Sequence, residues 1–177
     1  LWSPAEGTLD PADLSGVDAV VHLAGAGIGD KRWTDAYKRE LLDSRTNSTT
    51  LLAEAIVAAD NGPTVLLSGS AIGIYGARGD EQLTEESAAG DGFLADVCVQ
   101  WEASTKAAED AGVRVVHLRT GIVLSPRRCS RHSPSEVRIT AEYVDQRGCA
   151  TCVPSPTPLK MRFLVWSTPS GERASRS

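Results

Sequence analysis

The chain has 177 residues, 41% of them hydrophobic, and a formal net charge of −5. This length suffices for one domain with a buried core. No apolar run approaches the roughly 20 residues that a membrane-spanning helix requires. The first residues, Leu1–Pro4, have the features of neither a signal peptide nor an Arg-rich transit segment. We therefore expect a cytoplasmic protein that binds neither a membrane nor nucleic acid.

Charge is distributed unevenly along the chain. Residues 127–177 have nine basic and four acidic side chains, a net charge of +5, which leaves −10 for the first 126 residues. Three of the four cysteines and five of the nine prolines also fall within 127–177. This break predicts two regions: an ordered domain over 1–126, and a divergent tail of low order over 127–177.

Apolar runs and helical periodicity alternate through the first region. They predict strands over 17–24, 64–68 and 113–118, and helices over 35–59 and 94–111. Asn61-Gly62-Pro63 stops the first helix, and Gly112 is expected to be the C-cap residue of the second. Beyond Pro126 only Arg138–Val144 and Met161–Trp166 have strand character. The alternation indicates an α/β fold with a doubly wound parallel sheet.

The segment Ser70-Ala71-Ile72-Gly73-Ile74-Tyr75-Gly76 follows the predicted strand over 64–68. It places two hydroxyls, those of Ser70 and Tyr75, at the carboxyl edge of the sheet, where ligands bind in open α/β folds. The competing interpretation is a tight strand-to-loop turn with a packed tyrosine. His22 and His117 lie inside apolar strands and are expected to be core residues, as is Cys98 on its helix.

Several motifs in chain order resemble the atypical short-chain dehydrogenase/reductases of the NAD-dependent epimerase-like family. They are Asp18–Gly25, Lys31–Thr34, Ser44-Arg45, Ser70–Gly76, Trp101-Glu102 and Leu118–Leu124. Family members open with a strand and a Gly-rich turn that this sequence does not contain. The resemblance therefore implies a partial Rossmann-like sheet that lacks its first strands, and a sequence that starts inside a longer protein.

The resemblance implies NAD or NADP as cofactor and a small-molecule substrate that it does not identify. The turn formed by Leu23, Ala24 and Gly25 would pass the adenosine half of the cofactor, because a residue without a side chain permits close approach. Two residues of the next helix, Glu40 and Arg45, would approach the same nucleotide, although an ordinary solvated helix face explains them equally well. Val123 would line the nicotinamide side.

Typical reductases of this superfamily use a serine together with a Tyr-x-x-x-Lys pair. Counting back from Trp101-Glu102, the tyrosine and lysine positions hold Leu94 and Cys98, and this departure from the pair is also a feature of the family resembled. Ser70 and Tyr75 remain as candidate catalytic hydroxyls. Three hypotheses stay open: an epimerase/reductase-like enzyme impaired by truncation, a non-catalytic nucleotide-binding protein, and an inert fragment. NAD against NADP and the oligomeric state are also open.

Cysteines and a histidine in the tail have metal-ligand spacing. Cys129 and His132 form a C-x-x-H pair, and Cys149 and Cys152 a C-x-x-C pair. Four such ligands can close a tetrahedral zinc site, but only Gly148 supplies a turn glycine, so we assign no metal. A shifted reading frame after Pro126 is the simpler explanation, because it accounts for the enrichment of the whole tail in Arg, Pro, Ser and Cys.

Overall fold

The computed structural model describes residues 2–4, residues 6–121 and the backbone of 161–164, which all belong to one compact unit. The strands are β1 (Ala19–His22), β2 (Val65–Ala71), β3 (Arg114–Thr120) and β4 (Met161–Leu164). The helices are α1 (Asp35–Ala58), α2 (Phe93–Ala103) and α3 (Lys106–Asp110). Short 3-10 helices lie at Pro11–Leu14 and Ile72–Tyr75.

The four strands form one parallel sheet in the order β3-β2-β1-β4. Val20 pairs with Leu66, and Leu66 with Val115, so apolar residues of the three strands lie in register across the sheet. The connection from β1 to β2 contains α1, and the connection from β2 to β3 contains α2 and α3, as parallel pairing requires. The predicted α/β, Rossmann-like parallel sheet is confirmed.

The main core lies between α1 and the strands β1 and β2. Its fully buried members include Val20, Leu52 and Leu66, and Leu14 of the first 3-10 helix packs against them. Thr34 caps α1, its hydroxyl accepting a hydrogen bond from the Tyr37 amide at 3.2 Å. The α1 helix contacts α2 and α3, while α2 packs against β2 and α3 against β3.

Three sequence predictions need correction. The helix predicted over 94–111 is two helices, because Ser104 and Thr105 bond back to the preceding turn: their hydroxyls donate to Gln100 O and Glu102 O at 2.8 and 2.7 Å. The strand predicted over 64–68 continues to Ala71, and the strand over 17–24 is confined to β1. Of the possible tail strands, 161–164 is β4, whereas 138–144 lies outside the described residues.

Candidate functional site

The carboxyl ends of β1, β2 and β3 meet at one edge of the sheet because the strands are parallel. The turn Leu23–Gly27 leaves β1 there. Ser70 near the end of β2 pairs with Arg119 near the end of β3. Thr120 also ties these ends together, its hydroxyl donating to Ser70 O at 3.1 Å. The fold thus assembles the sequence-predicted segments at a single edge.

Ser70 belongs to a charged network that connects two strands and a helix. Its hydroxyl donates to Glu102 Oε1 at 2.6 Å. Arg119 donates two hydrogen bonds to the same carboxylate, from Nε to Oε1 at 2.8 Å and from Nη2 to Oε2 at 2.9 Å. Bidentate pairs of this kind are among the strongest hydrogen-bonded contacts in proteins. Because the ionised carboxylate only accepts, the Ser70 hydrogen is committed to Glu102.

Arg119 also reaches Tyr75. Its Nη1 donates to Tyr75 Oη at 2.9 Å and to the backbone carbonyl of Glu85 at 2.9 Å, and the guanidinium lies 5.4 Å from the centre of the Tyr75 ring. Arginine has no acceptor atom, so the Tyr75 oxygen accepts and keeps its own hydrogen for another partner. The structure therefore brings the two candidate hydroxyls into one network, with opposite hydrogen-bonding roles.

The ion pair within this network shifts the pKa of both members. Burial opposes ionisation of Glu102, but hydrogen bonds from Arg119 and then Ser70 outweigh it, and the pKa of the carboxyl is lowered. The hydrogen bond to Glu102 raises the pKa of Arg119. The side chains of Arg119 and Glu102 are 24% and 14% exposed, so the pair is only partly screened by solvent and remains fully charged near neutral pH.

The loop that follows Tyr75 folds back on it. The Gly90 amide donates to Ile74 O at 2.9 Å, and a Cβ added to Gly90 would lie 2.1 Å from Tyr75 O, so no side chain fits there. Gly76 has a φ of 64°, which favours glycine. Under this cover Ser70 is 3% and Tyr75 8% exposed. Both hydroxyls are thus shielded beneath the loop and α2.

The turn after β1 is held by side chains of α1. Ser44 Oγ accepts from the Ala26 amide at 3.0 Å, and the Tyr37 hydroxyl donates to Gly27 O. Ala24 is 1% exposed, whereas Leu23 and Gly25 are half-buried. A Cβ added to Gly25 would lie 3.1 Å from Cγ of Arg45, so the absence of a side chain lets the turn approach this arginine.

Arg45 and Glu40, both predicted to approach a nucleotide, have different surroundings. Arg45 is 8% exposed, donates to Leu41 O at 2.9 Å and lies 5.2 Å from the centre of the Trp101 ring. Burial lowers its pKa. Glu40 is exposed and forms a 2.9 Å salt bridge with Lys31. Val123 lies outside the described residues.

The sequence analysis also predicted that Cys98, His22 and His117 are core residues. Cys98 is 4% exposed and burial raises the pKa of its thiol, as expected of a packed cysteine. His22 is fully buried beside Thr49. His117 is only half-buried, 3.5 Å from Glu109 Oε1.

The predicted tail with its candidate zinc ligands lies outside the described residues. Within the part of the chain that the structure describes, no group of three or more potential ligands surrounds a metal position. No helix in the same part is long and apolar enough to cross a membrane.

Sequence reasoning did not assign a role to Glu102 or Arg119, although both lie in motifs that carried the resemblance. The feature that identifies them is an ion pair between a half-buried carboxylate of α2 and an arginine near the end of β3. Chain separations of 32 residues from Ser70 to Glu102 and 17 from Glu102 to Arg119 conceal this pairing.

The parallel sheet and the polar residues at its carboxyl edge define a Rossmann-like α/β unit. The chain belongs to the NAD dependent epimerase/dehydratase family, whose model matches residues 10–147. An epimerase family protein of Mycobacterium bovis is 47% identical over 125 residues, 71% of this chain and 41% of that protein. An epimerase family protein of Bacillus subtilis is 34% identical over 124 residues, 70% of this chain and 41% of that protein.

Two solved structures are similar to the chain. A nucleoside-diphosphate sugar epimerase from Corynebacterium glutamicum has a TM-score of 0.60 at 44% identity, over 71% of this chain and 26% of that one. A human epimerase family protein, solved with NADPH, has a TM-score of 0.59 at 32% identity, over 65% of this chain and 40% of that one. The chain thus spans less than half the length of these relatives.

Proposed function

We propose that the chain binds a nicotinamide dinucleotide, NAD or NADP, at the carboxyl edge of its sheet. The turn Leu23–Gly25 contributes backbone to the adenosine side, and α1 contributes Arg45 and Glu40. Val123 lines the nicotinamide side. The proposal extends to this chain the NADPH found with the human relative.

The observation that carries the proposal is the close approach of the β1 turn to Arg45. The N–H groups of Gly25 and Gly27 have no acceptor among the described residues, whereas the Ala26 amide is bonded to Ser44. Backbone donors beside a cation suit the phosphates and ribose of a dinucleotide. These residues therefore fit the cofactor that the family name implies.

For the reaction, we propose oxidoreductase or isomerase chemistry at an alcohol or carbonyl carbon of a small molecule. The dinucleotide, when bound, exchanges hydride with that carbon. Tyr75 contributes its hydroxyl hydrogen toward the substrate oxygen, since Arg119 already occupies its acceptor side. Ser70 contributes lone pairs, since its hydrogen is held by Glu102. Together they orient one hydroxyl group.

A second candidate function is nucleotide binding without turnover. Ser70 and Tyr75 are both nearly buried, and the positions of the usual Tyr-x-x-x-Lys pair hold Leu94 and Cys98. In that case the ion pair of Glu102 and Arg119 only stabilises the carboxyl edge of the sheet.

The experiment that tests the proposal is a titration of the purified chain with NADPH and NADH, followed by nicotinamide fluorescence. A saturable dissociation constant in the micromolar range is expected, and no saturation up to millimolar cofactor would refute binding. Turnover is then sought by NMR with a panel of nucleoside-diphosphate sugars, the class named for the Corynebacterium relative. Loss of turnover in Tyr75→Phe with unchanged NADPH affinity distinguishes catalysis from binding alone.

A further inference from the structure

The two candidate catalytic hydroxyls are covered, although the proposed reaction requires them to contact a substrate. Ser70 and Tyr75 are both buried. Tyr75 is covered by the loop 77–91, which leaves the second 3-10 helix at Gly76 and enters α2 at Gly92. The α2 helix is anchored by its contacts with α1 and β2. Access for a substrate therefore requires the loop to move.

The two ends of this loop lie side by side. The Gly90 amide donates to Ile74 O at 2.9 Å, and a Cβ added to Gly76 would lie 3.1 Å from the Asp91 carbonyl oxygen. Loops of this length whose ends are close form compact surface units that are frequently functional. Gly76 and Gly92 have φ values of 64° and 105°, which glycine adopts without strain. Each end of the loop can therefore serve as a hinge.

Leu83 and Glu85 hold the middle of the loop over the site. Leu83 is half-buried against the apolar cluster that contains Tyr75. The Glu85 carbonyl accepts from Arg119 Nη1 at 2.9 Å, and the same nitrogen donates to Tyr75 Oη. A half-buried apolar contact and an exposed backbone hydrogen bond are typical of segments that open at low free energy.

Further hydrogen bonds join residues of the loop to one another. Arg78 pairs with Glu81 at 2.8 Å and donates to Ala88 O at 3.4 Å. The Thr84 amide donates to Ser87 Oγ at 2.9 Å. These contacts are preserved when the loop moves as a unit, so the contacts that opening breaks are those with the body of the domain.

We propose that this loop is a lid that opens about Gly76 and Gly92 to admit the substrate. Opening removes the Glu85 acceptor from Arg119 Nη1 and uncovers the Tyr75 hydroxyl. Nη1 keeps one N–H for Tyr75 and presents the other to the vacated space. The opened site thus offers two hydrogen-bond donors to a carbonyl or hydroxyl oxygen. The role of the lid rests on the proposed function, because that function requires the substrate to contact Tyr75.

Native-state hydrogen exchange of the cofactor-free chain at increasing urea tests the opening. The Gly90 amide should exchange with a small urea dependence, whereas the amide of buried Leu66 should exchange with the full dependence of global unfolding. Leu83→Ala should speed exchange at Gly90 roughly fivefold by weakening the contact that closes the lid. The matched control Leu9→Ala removes a half-buried leucine that packs on the main core, and should leave exchange at Gly90 unchanged.

Nitration by tetranitromethane, followed by peptide mass, tests whether opening uncovers the site. Tyr75 should be nitrated faster in Leu83→Ala than in the wild type or Leu9→Ala, by the same factor as exchange at Gly90. Tyr37 is an internal control, because it is buried on α1 and should react equally slowly in all three proteins.

Exchange at Gly90 with the urea dependence of global unfolding overturns the lid, as does equal acceleration in Leu83→Ala and Leu9→Ala. Faster exchange in Leu83→Ala without faster nitration of Tyr75 overturns its role in access. Both measurements are made without cofactor. A chain that meets both expectations but does not bind NADPH therefore refutes the proposed function, whereas the opening of the loop over Tyr75 stands.

Discussion

Acidification should destabilise the chain through one buried histidine. His22 is fully buried between β1 and α1, with Nε2 at 3.0 Å from Thr49 Oγ1 and 3.3 Å from Ser48 Oγ. Its Nδ1 has no hydrogen-bond partner among the described residues, and the ring packs edge-on against Trp2. A charged imidazolium has no anion here, so burial lowers the pKa of His22 from 6.5 to about 4.

The lowered pKa fixes both the sign and the size of the effect. As pH falls through 6.5 the unfolded chain takes up a proton at this residue, whereas the folded chain remains neutral until about pH 4. Stability is therefore lost across this window. The full shift corresponds to about 3 kcal/mol, of which about 2 kcal/mol is lost between pH 7 and pH 5. Glu102, whose pKa is lowered, adds a loss only at lower pH.

Urea unfolding at pH 7, 6 and 5 measures this dependence for wild type and His22→Gln, which can still offer a polar group to Thr49. His117→Gln is the matched control, because that histidine is half-buried beside Glu109. We expect His22→Gln to lose most of the pH slope and His117→Gln to keep it. Equal slopes in wild type and His22→Gln would refute the reasoning, whatever their absolute stabilities.

Three further predictions concern the hydrogen-bond network of Ser70, Glu102 and Arg119 and the loop that folds back on Tyr75. Gly90→Ala should destabilise the chain by about 2 kcal/mol or more, because the added methyl group would clash with Tyr75 O. The control Gly29→Ala places its methyl group in open space and should leave stability unchanged. Equal urea midpoints for the two variants would contradict the predicted clash. Arg119→Met should cost about 3 kcal/mol by leaving Glu102 unpaired, whereas Arg78→Met, which breaks an ion pair with the exposed Glu81, should change stability little. Ser70→Ala should raise the pKa of Glu102 in a carboxyl ¹³C titration, and an unchanged pKa contradicts the hydrogen bond.

The order of strands and helices could be predicted because local patterns dominate in the first region. The apolar runs of β1 and β3 and the periodicity of α1 depend on residues close in the chain. The prediction that β2 ends at residue 68 was wrong because Gly69 and Ser70 are residue types typical of loops. In the fold, a Cβ at Gly69 would lie 2.8 Å from the Trp101 ring, so packing against α2 rather than strand propensity selects glycine.

The site was predicted only in part. Ser70 and Tyr75 follow a strand, and that position alone indicated a ligand edge. In the structure Ser70 donates to Glu102 and Tyr75 accepts from Arg119. These partners come from other elements, and no spacing rule connects them. The contrast between buried Arg45 and exposed Glu40 likewise depends on which face of α1 packs on the sheet, although the two residues are only five positions apart.

Trp101 touches several of these features at once. Its indole N–H donates to Thr49 at 3.0 Å, its ring supports Arg45, and its edge fills the space beside Gly69. Substitutions at these contacting positions should therefore be strongly epistatic, because each moves the same ring. A larger residue at position 69 becomes tolerable only with a smaller one at position 101. That exchange would also remove the ring on which Arg45 stacks. Evolutionary change around Arg45 is thus constrained from the interior of the protein.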